Sequence, residues 1–360
     1  MSGLAEAVRR DNNFDALRLV AALAVILGHS CVLLGRPELV PLIFGIGIQE
    51  LGVCVFFVIS GYLIVGSWER SRSLPQYFTS RVLRIFPGLI LVALFSAFIL
   101  GPLVTTLSPD GYLGNGQTYS YLRNIALLPV ADLPGVFEDN PYPSAVNGSL
   151  WTLGAEFACY LLVPVIGFLP RLLRIPAWGL FAAASIVLSF MHVEIYGARV
   201  ESGAFMWVFF AVGAILRLGL RREWFRLDVA AFVLVLWLGL LGFFPQYSVY
   251  LAWIALPYCV LALGLHSTPG VRRASRYGDF SYGLYLWAFP VQQAVVHFFG
   301  VLPLGLNLVV VIAITAAFAY ASWHLVEQPS MRRATTMPWS VKRTGSVRTA
   351  VIAVETRDVA

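Results

Sequence analysis

Ten apolar stretches separated by short polar breaks run through this chain, far more than a soluble core could bury. They fall near residues 14–34, 48–68, 86–107, 147–169, 176–192, 203–218, 228–245, 247–266, 280–299 and 303–323. Runs of about 20 apolar residues match the hydrocarbon thickness of a bilayer. Hydrophobic residues make up 59% of the 360, charged residues 12%, and mean hydropathy is +0.77. That is too little charge to cover a water-facing surface. The expected fold class is an all-α polytopic membrane protein of about ten transmembrane helices. No cleavage signal follows the first apolar run, so that span is expected to be retained.

The basic residues orient the spans. Of 25 Lys and Arg, 22 fall in segments on one side, leaving Arg36, Arg123 and Arg199 on the other. By the positive-inside rule both termini are cytoplasmic. The net charge of +6 thus reflects topology, and no nucleic-acid partner is expected. Cys31, Cys54, Cys159 and Cys259 lie in apolar stretches without ligand-like spacing, so they read as small buried hydrophobes and no metal site is expected. Residues 1–330 form one membrane-embedded domain, and 331–360 read as a basic, disordered cytoplasmic tail. The one long outer loop, Ser108 to Val146, is a candidate lid or acceptor-recognition surface.

Arg18 and His29 are eleven residues apart in the first stretch, about three helical turns, and share a face about 16 Å apart. Ionisable groups inside a span are costly and usually functional. An imidazole there is a candidate general base. Asp15 precedes the span and can cap it or pair with Arg18. Ser60 and Gly61 in the second span permit close helix approach, and Ser60 is expected beside His29 at mid-depth. Arg81 and Arg84, before Pro87, form a forked basic pair suited to phosphate. Glu156, five residues after Trp151 in the fourth span, needs a buried partner; His29 is one candidate, whose ring it could orient, and a structural hydrogen bond to another helix is the competing reading. Tyr285, Trp287 and Glu327 mark the last helix pair, where aromatics often anchor the interface.

In this order, Arg18 to His29, Phe56–Tyr62, Arg81/Arg84 with Pro87, Ser149–Leu153 with Glu156, Ser281–Trp287, and Glu327 with Pro329 resemble acyltransferase family 3. Members of that family are integral membrane proteins that acylate cell-surface glycans and related acceptors. The resemblance implies acyl-CoA, chiefly acetyl-CoA, as donor substrate and a saccharide or glycolipid hydroxyl as acceptor. It also implies a bacterial cytoplasmic membrane setting, with no permanently bound cofactor. An essential histidine carries over to His29, and the paired arginines to Arg81 and Arg84. Catalysis falls to His29, Glu156 and Ser60, and the donor phosphates to Arg18, Arg81 and Arg84. The family often has His where this chain has Ala288, so no role attaches to that position. An acyl-Ser60 or acyl-His29 relay and direct transfer both stay open. The alternative is a ten-span proton-coupled transporter with His29 and Glu156 as its relay. The acyl group, the acceptor and the oligomeric state are not legible in the residues.

Overall fold

The computed structural model describes residues 12–191, 194–195, 198–244, 247–274 and 278–336. Among the described residues, ten long helices overlap the ten apolar stretches. They are α1 Phe14–Leu33, α2 Ile48–Ser71, α3 Leu74–Phe95, α4 Trp151–Gly167, α5 Arg171–Ser189, α6 Val200–Gly219, α7 Leu227–Phe243, α8 Ser248–Leu265, α9 Ser281–Phe299 and α10 Leu304–Ser322. Six helical segments are long and apolar enough to cross a membrane: α1, α2, α5, α6, and α3 and α10 with their continuations, Leu74–Val104 and Leu304–Arg333. Shorter apolar helices span Trp151–Gly167, Leu227–Phe243 and Val249–Leu265.

Small residues set the closest crossings, because apolar helices in lipid gain from packing and not from hiding from water. At Gly61 a Cβ would stand 2.1 Å from the Phe210 carbonyl oxygen, and at Gly213 one would stand 2.5 Å from that of Val58. The α2–α6 contact therefore tolerates no side chain at either position. Gly52 likewise seats α2 on α1, where a Cβ would come within 2.6 Å of the Ala21 carbonyl oxygen. Asn13 ties the start of α1 to the end of α8. Its Nδ2 donates to the Leu263 carbonyl at 3.1 Å and to Thr268 Oγ1 at 3.0 Å, and its Oδ1 accepts from the Thr268 N–H.

The structure revises several boundaries. α3 begins at Leu74, so Arg81, Arg84 and Pro87 lie within a helix and not in a loop. Asp15 is in the first turn of α1 rather than before it. The last helix passes through a π-helical turn, Trp323–Glu327, and continues as Gln328–Thr336, so the segment expected as tail opens helically. Residues 337–360 of that tail, like residues 1–11, lie outside the described residues. All four cysteines are free and buried, as their settings suggest.

The long loop Ser108 to Val146 is a packed cap. Short helical turns at Pro109–Leu113, Gly116–Ser120 and Tyr121–Ala126 bury Tyr112, Tyr121, Leu133, Val136 and Phe137 against Ala97, Leu100 and Val104. One side chain on α9 holds it down. Gln293 Nε2 donates to the carbonyls of Tyr142 at 2.8 Å and Ala145 at 2.7 Å, and its Oε1 accepts from Asn140 Nδ2 at 2.8 Å.

Candidate active site

The register of α1 against α2 decides what can meet. Phe14 faces Tyr62 with ring centroids 6.1 Å apart. Gly52 lies against Ala21 and Val25, and Gly28 lies under the Gln49 side chain. These antiparallel pairs set His29 opposite Gly47, and Ser60 opposite Ala16. The two residues are thus roughly 13 residues out of register, about 20 Å along the axis. Ser60 is not beside His29, a correction to the expectation of shared depth. Equal distance from two helix ends was a poor guide, because the helices are offset.

Two tiers result. They are named inner for the Arg18 end of α1 and outer for its His29 end. On the inner tier Ser60 Oγ donates to Glu156 Oε1 at 2.5 Å, and the Tyr160 hydroxyl donates to the same oxygen at 2.6 Å. Tyr160 is itself placed by α3, whose Tyr77 hydroxyl donates to the Tyr160 carbonyl at 2.8 Å. Glu156 is therefore held by Ser60 and Tyr160, one helical turn apart on its own helix for the latter, and not by His29. Its level follows from the start of α4. The Tyr285 hydroxyl meets Thr152 Oγ1 at 2.5 Å and donates to the Ser149 carbonyl at 2.9 Å, while Asn147 Nδ2 donates to the Leu286 carbonyl.

The arginines gather on this tier but are not equivalent. Arg84 Nη2 donates to Asp279 Oδ2 at 2.5 Å, and Ser281 Oγ holds the other carboxylate oxygen at 2.8 Å. Burial alone would raise the Asp279 carboxyl, but Arg84 and Arg18 beside it hold it well below the usual carboxylate range. Arg84 also lies 6.0 Å from the ring centroids of Tyr282 and Trp323. Arg81 reaches Ser67 Oγ at 3.5 Å, and its Nε is buried without a partner. Donor capacity for an incoming anion thus rests more with Arg81 than with Arg84. Glu327, in the π-helical turn, accepts from Ser322 Oγ at 2.6 Å, while its Oε2 is buried without a partner.

The outer tier centres on His29. Its ring meets Phe289 edge-on with centroids 5.4 Å apart, and its Nδ1 is buried without a hydrogen bond. The next residue, Ser30, receives Gln292 Nε2 at 2.8 Å, and the same nitrogen donates to the Ile26 carbonyl at 2.7 Å. These two hydrogen bonds from α9 fix the turn of α1 that carries His29. Gln49 Oε1, lying on Gly28, is also buried without a partner.

Tyr285 and Trp287 are buried, not interfacial: Trp287 stacks on Phe318 at 4.8 Å. Trp151 is partly exposed at the start of α4. Sequence reasoning missed Asp279, Tyr160, Gln292 and Phe289. Tyr160 lies one turn after Glu156, so a search of helical neighbours would have found it, whereas Asp279 precedes α9 and is 195 residues from Arg84, a pairing that local sequence does not show.

A sequence model described as an acyltransferase domain matches residues 11–325. Among curated proteins, the chain is similar to an O-acetyl transferase of Shigella phage Sf6, with 28% identity over 91% of this chain and 98% of the other. It is similar to nodulation protein 10 of Rhizobium leguminosarum bv. viciae, with 30% identity over 91% of this chain and 95% of the relative. A third, the peptidoglycan O-acetyltransferase OatA of Listeria monocytogenes, is 25% identical over 78% of this chain and 49% of that longer protein. No solved structure matches the chain. The family match takes in both tiers, from Arg18 to Glu156 and on to Tyr285, and the chain belongs to acyltransferase family 3.

Proposed function

We propose that this protein is a membrane-bound O-acyltransferase. It moves an acyl group, acetyl first and succinyl second, from acyl-CoA to a hydroxyl of an extracytoplasmic or lipid-linked saccharide, in a bacterial cytoplasmic membrane crossed ten times. The names of the phage and Listeria relatives support acetyl and an oxygen acceptor. The observation that carries the reading is the separation of Arg18 and His29 along α1, about 16 Å.

Arg18 and Arg81 hold the donor's phosphates at the inner end, where phosphate oxygens match guanidinium forks. The long uncharged arm of CoA lies along α1 and brings the thioester to His29. His29 takes the proton of the acceptor hydroxyl as its oxygen attacks the acyl carbon, forming the ester C–O bond. The carbon–sulfur bond breaks, and the proton on His29 passes to the departing thiolate to give free CoA. Glu156 has no part in steering the ring; it organises Ser60 and Tyr160 on the inner tier. An acyl-Ser60 intermediate close to His29 does not fit the α1–α2 register.

Purified protein given radiolabelled acetyl-CoA and alkali-treated envelope glycan should transfer label to the glycan. His29→Ala should abolish transfer, and Arg18→Gln with Arg81→Gln should raise the KM for acetyl-CoA while leaving that for glycan unchanged. Uptake of solute into liposomes without any transfer would overturn the enzyme reading in favour of a carrier.

A further inference from the structure

We infer that Tyr142 is the stacking platform of an acceptor subsite, holding a pyranose ring over the outer mouth of the site so that its hydroxyl meets His29. The inference rests on the acyltransferase reading and adds a residue outside the family's motif positions given above.

Three observations converge on this residue. Tyr142 is 41% exposed, yet its ring lies 6.4 Å from Phe289, the same ring that meets His29 edge-on at 5.4 Å. One aromatic ring therefore separates an open surface from the candidate base. Second, the exposure is built, not incidental. The Tyr142 carbonyl is held by Gln293, and Asn140 is bonded to both the backbone and the side chain of that glutamine. Phe137 and Ser144, at the two ends of the segment, have φ of 57° and 64°, and the Ser144 N–H closes onto the Phe137 carbonyl at 3.1 Å. Non-glycine residues rarely adopt that conformation, and it persists only where the surroundings impose it. Third, the segment rides on the outer end of α1, where a Cβ at Gly35 would meet Pro141 at 3.0 Å.

A lipid-facing tyrosine would belong to a helix surface; this one sits on the cap. A saccharide presents an apolar C–H face and a hydroxyl rim. A rigid tyrosine supplies the matching flat surface at low entropic cost. Asp139, exposed and three residues earlier on the same segment, adds a carboxylate acceptor for hydroxyls on the rim.

The test measures acetyl transfer from acetyl-CoA to alkali-treated envelope glycan by wild type, Tyr142→Ala and Tyr142→Phe. Tyr142→Ala should raise the glycan KM roughly fivefold to tenfold with the acetyl-CoA KM unchanged, and Tyr142→Phe should stay near wild type. An unchanged glycan KM in Tyr142→Ala, or a Tyr142→Phe variant as impaired as Tyr142→Ala, would overturn the platform while leaving the enzyme reading intact. A wild type that transfers nothing to glycan would sink the enzyme reading itself, and the platform with it.

Discussion

Arg84 and Asp279 join the middle of α3 to the residue pair preceding α9 through a 2.5 Å ion pair, the side chains only 25% and 14% exposed. Removing one partner leaves the other charge poorly solvated. Arg84→Gln or Asp279→Asn alone should cost about 1–3 kcal/mol, and the double variant should recover part of that loss. Thermal unfolding in detergent checks this; additive losses would show that the pair is not coupled.

Acid should act through the same pair. The Asp279 carboxyl is depressed in the folded protein by Arg84 and Arg18 acting against burial. Its contribution is therefore complete above the ordinary carboxylate range, near pH 4, and is lost as pH falls below it. Wild type should lose more thermal stability between about pH 5 and pH 3 than the Arg84→Gln, Asp279→Asn double variant. Parallel losses would exonerate the pair.

Glu156→Gln separates two accounts of that carboxylate. Tyr160 and Ser60 both donate to Oε1, so the change should lower stability by about 1–2 kcal/mol. The pH dependence of acyl transfer should stay as in wild type, since His29 lies on the other tier. A displaced pH–rate curve would reinstate a Glu156–imidazole link.

Gly61→Ala should be among the most disruptive single-methyl additions in the bundle. The added carbon has only the Phe210 carbonyl to displace, and that belongs to helix backbone. A loss of about 1–3 kcal/mol is expected, read as a lower unfolding temperature; Gly179→Ala, where no atom lies within 4 Å, should be silent.

Gln293→Ala should free the cap. It removes the donor to Tyr142 and Ala145 and the acceptor of Asn140. Hydrogen exchange across residues 137–146 should speed up markedly while α1 stays protected. Unchanged exchange there would mean that the buried aromatic cluster alone holds the cap.

Hydropathy alone was enough to locate a helix at each apolar run, most of them to within about five residues, because a long apolar run has few alternatives to a helix in a bilayer. It was less informative at their ends. α3 starts twelve residues earlier than its apolar run, since Leu74–Ile85 is amphipathic and its arginines stay helical on a packed face. The motifs led to the right residues, but not to which of them meet. His29, Ser60 and Glu156 all read as mid-span, yet helix offset puts the last two with each other and the first alone. Offset is set by glycines such as Gly28 and Gly52, whose partners lie on another helix and leave no trace in local sequence.

The α1 segment between Arg18 and His29 also carries a constraint on length that no single substitution would expose. One inserted residue would swing the imidazole by about 100° around the rod and off Phe289. Four would bring it back to within about 40° of its bearing but lift it about 6 Å toward the cap and out of reach of Phe289. The helix is a ruler as much as a scaffold.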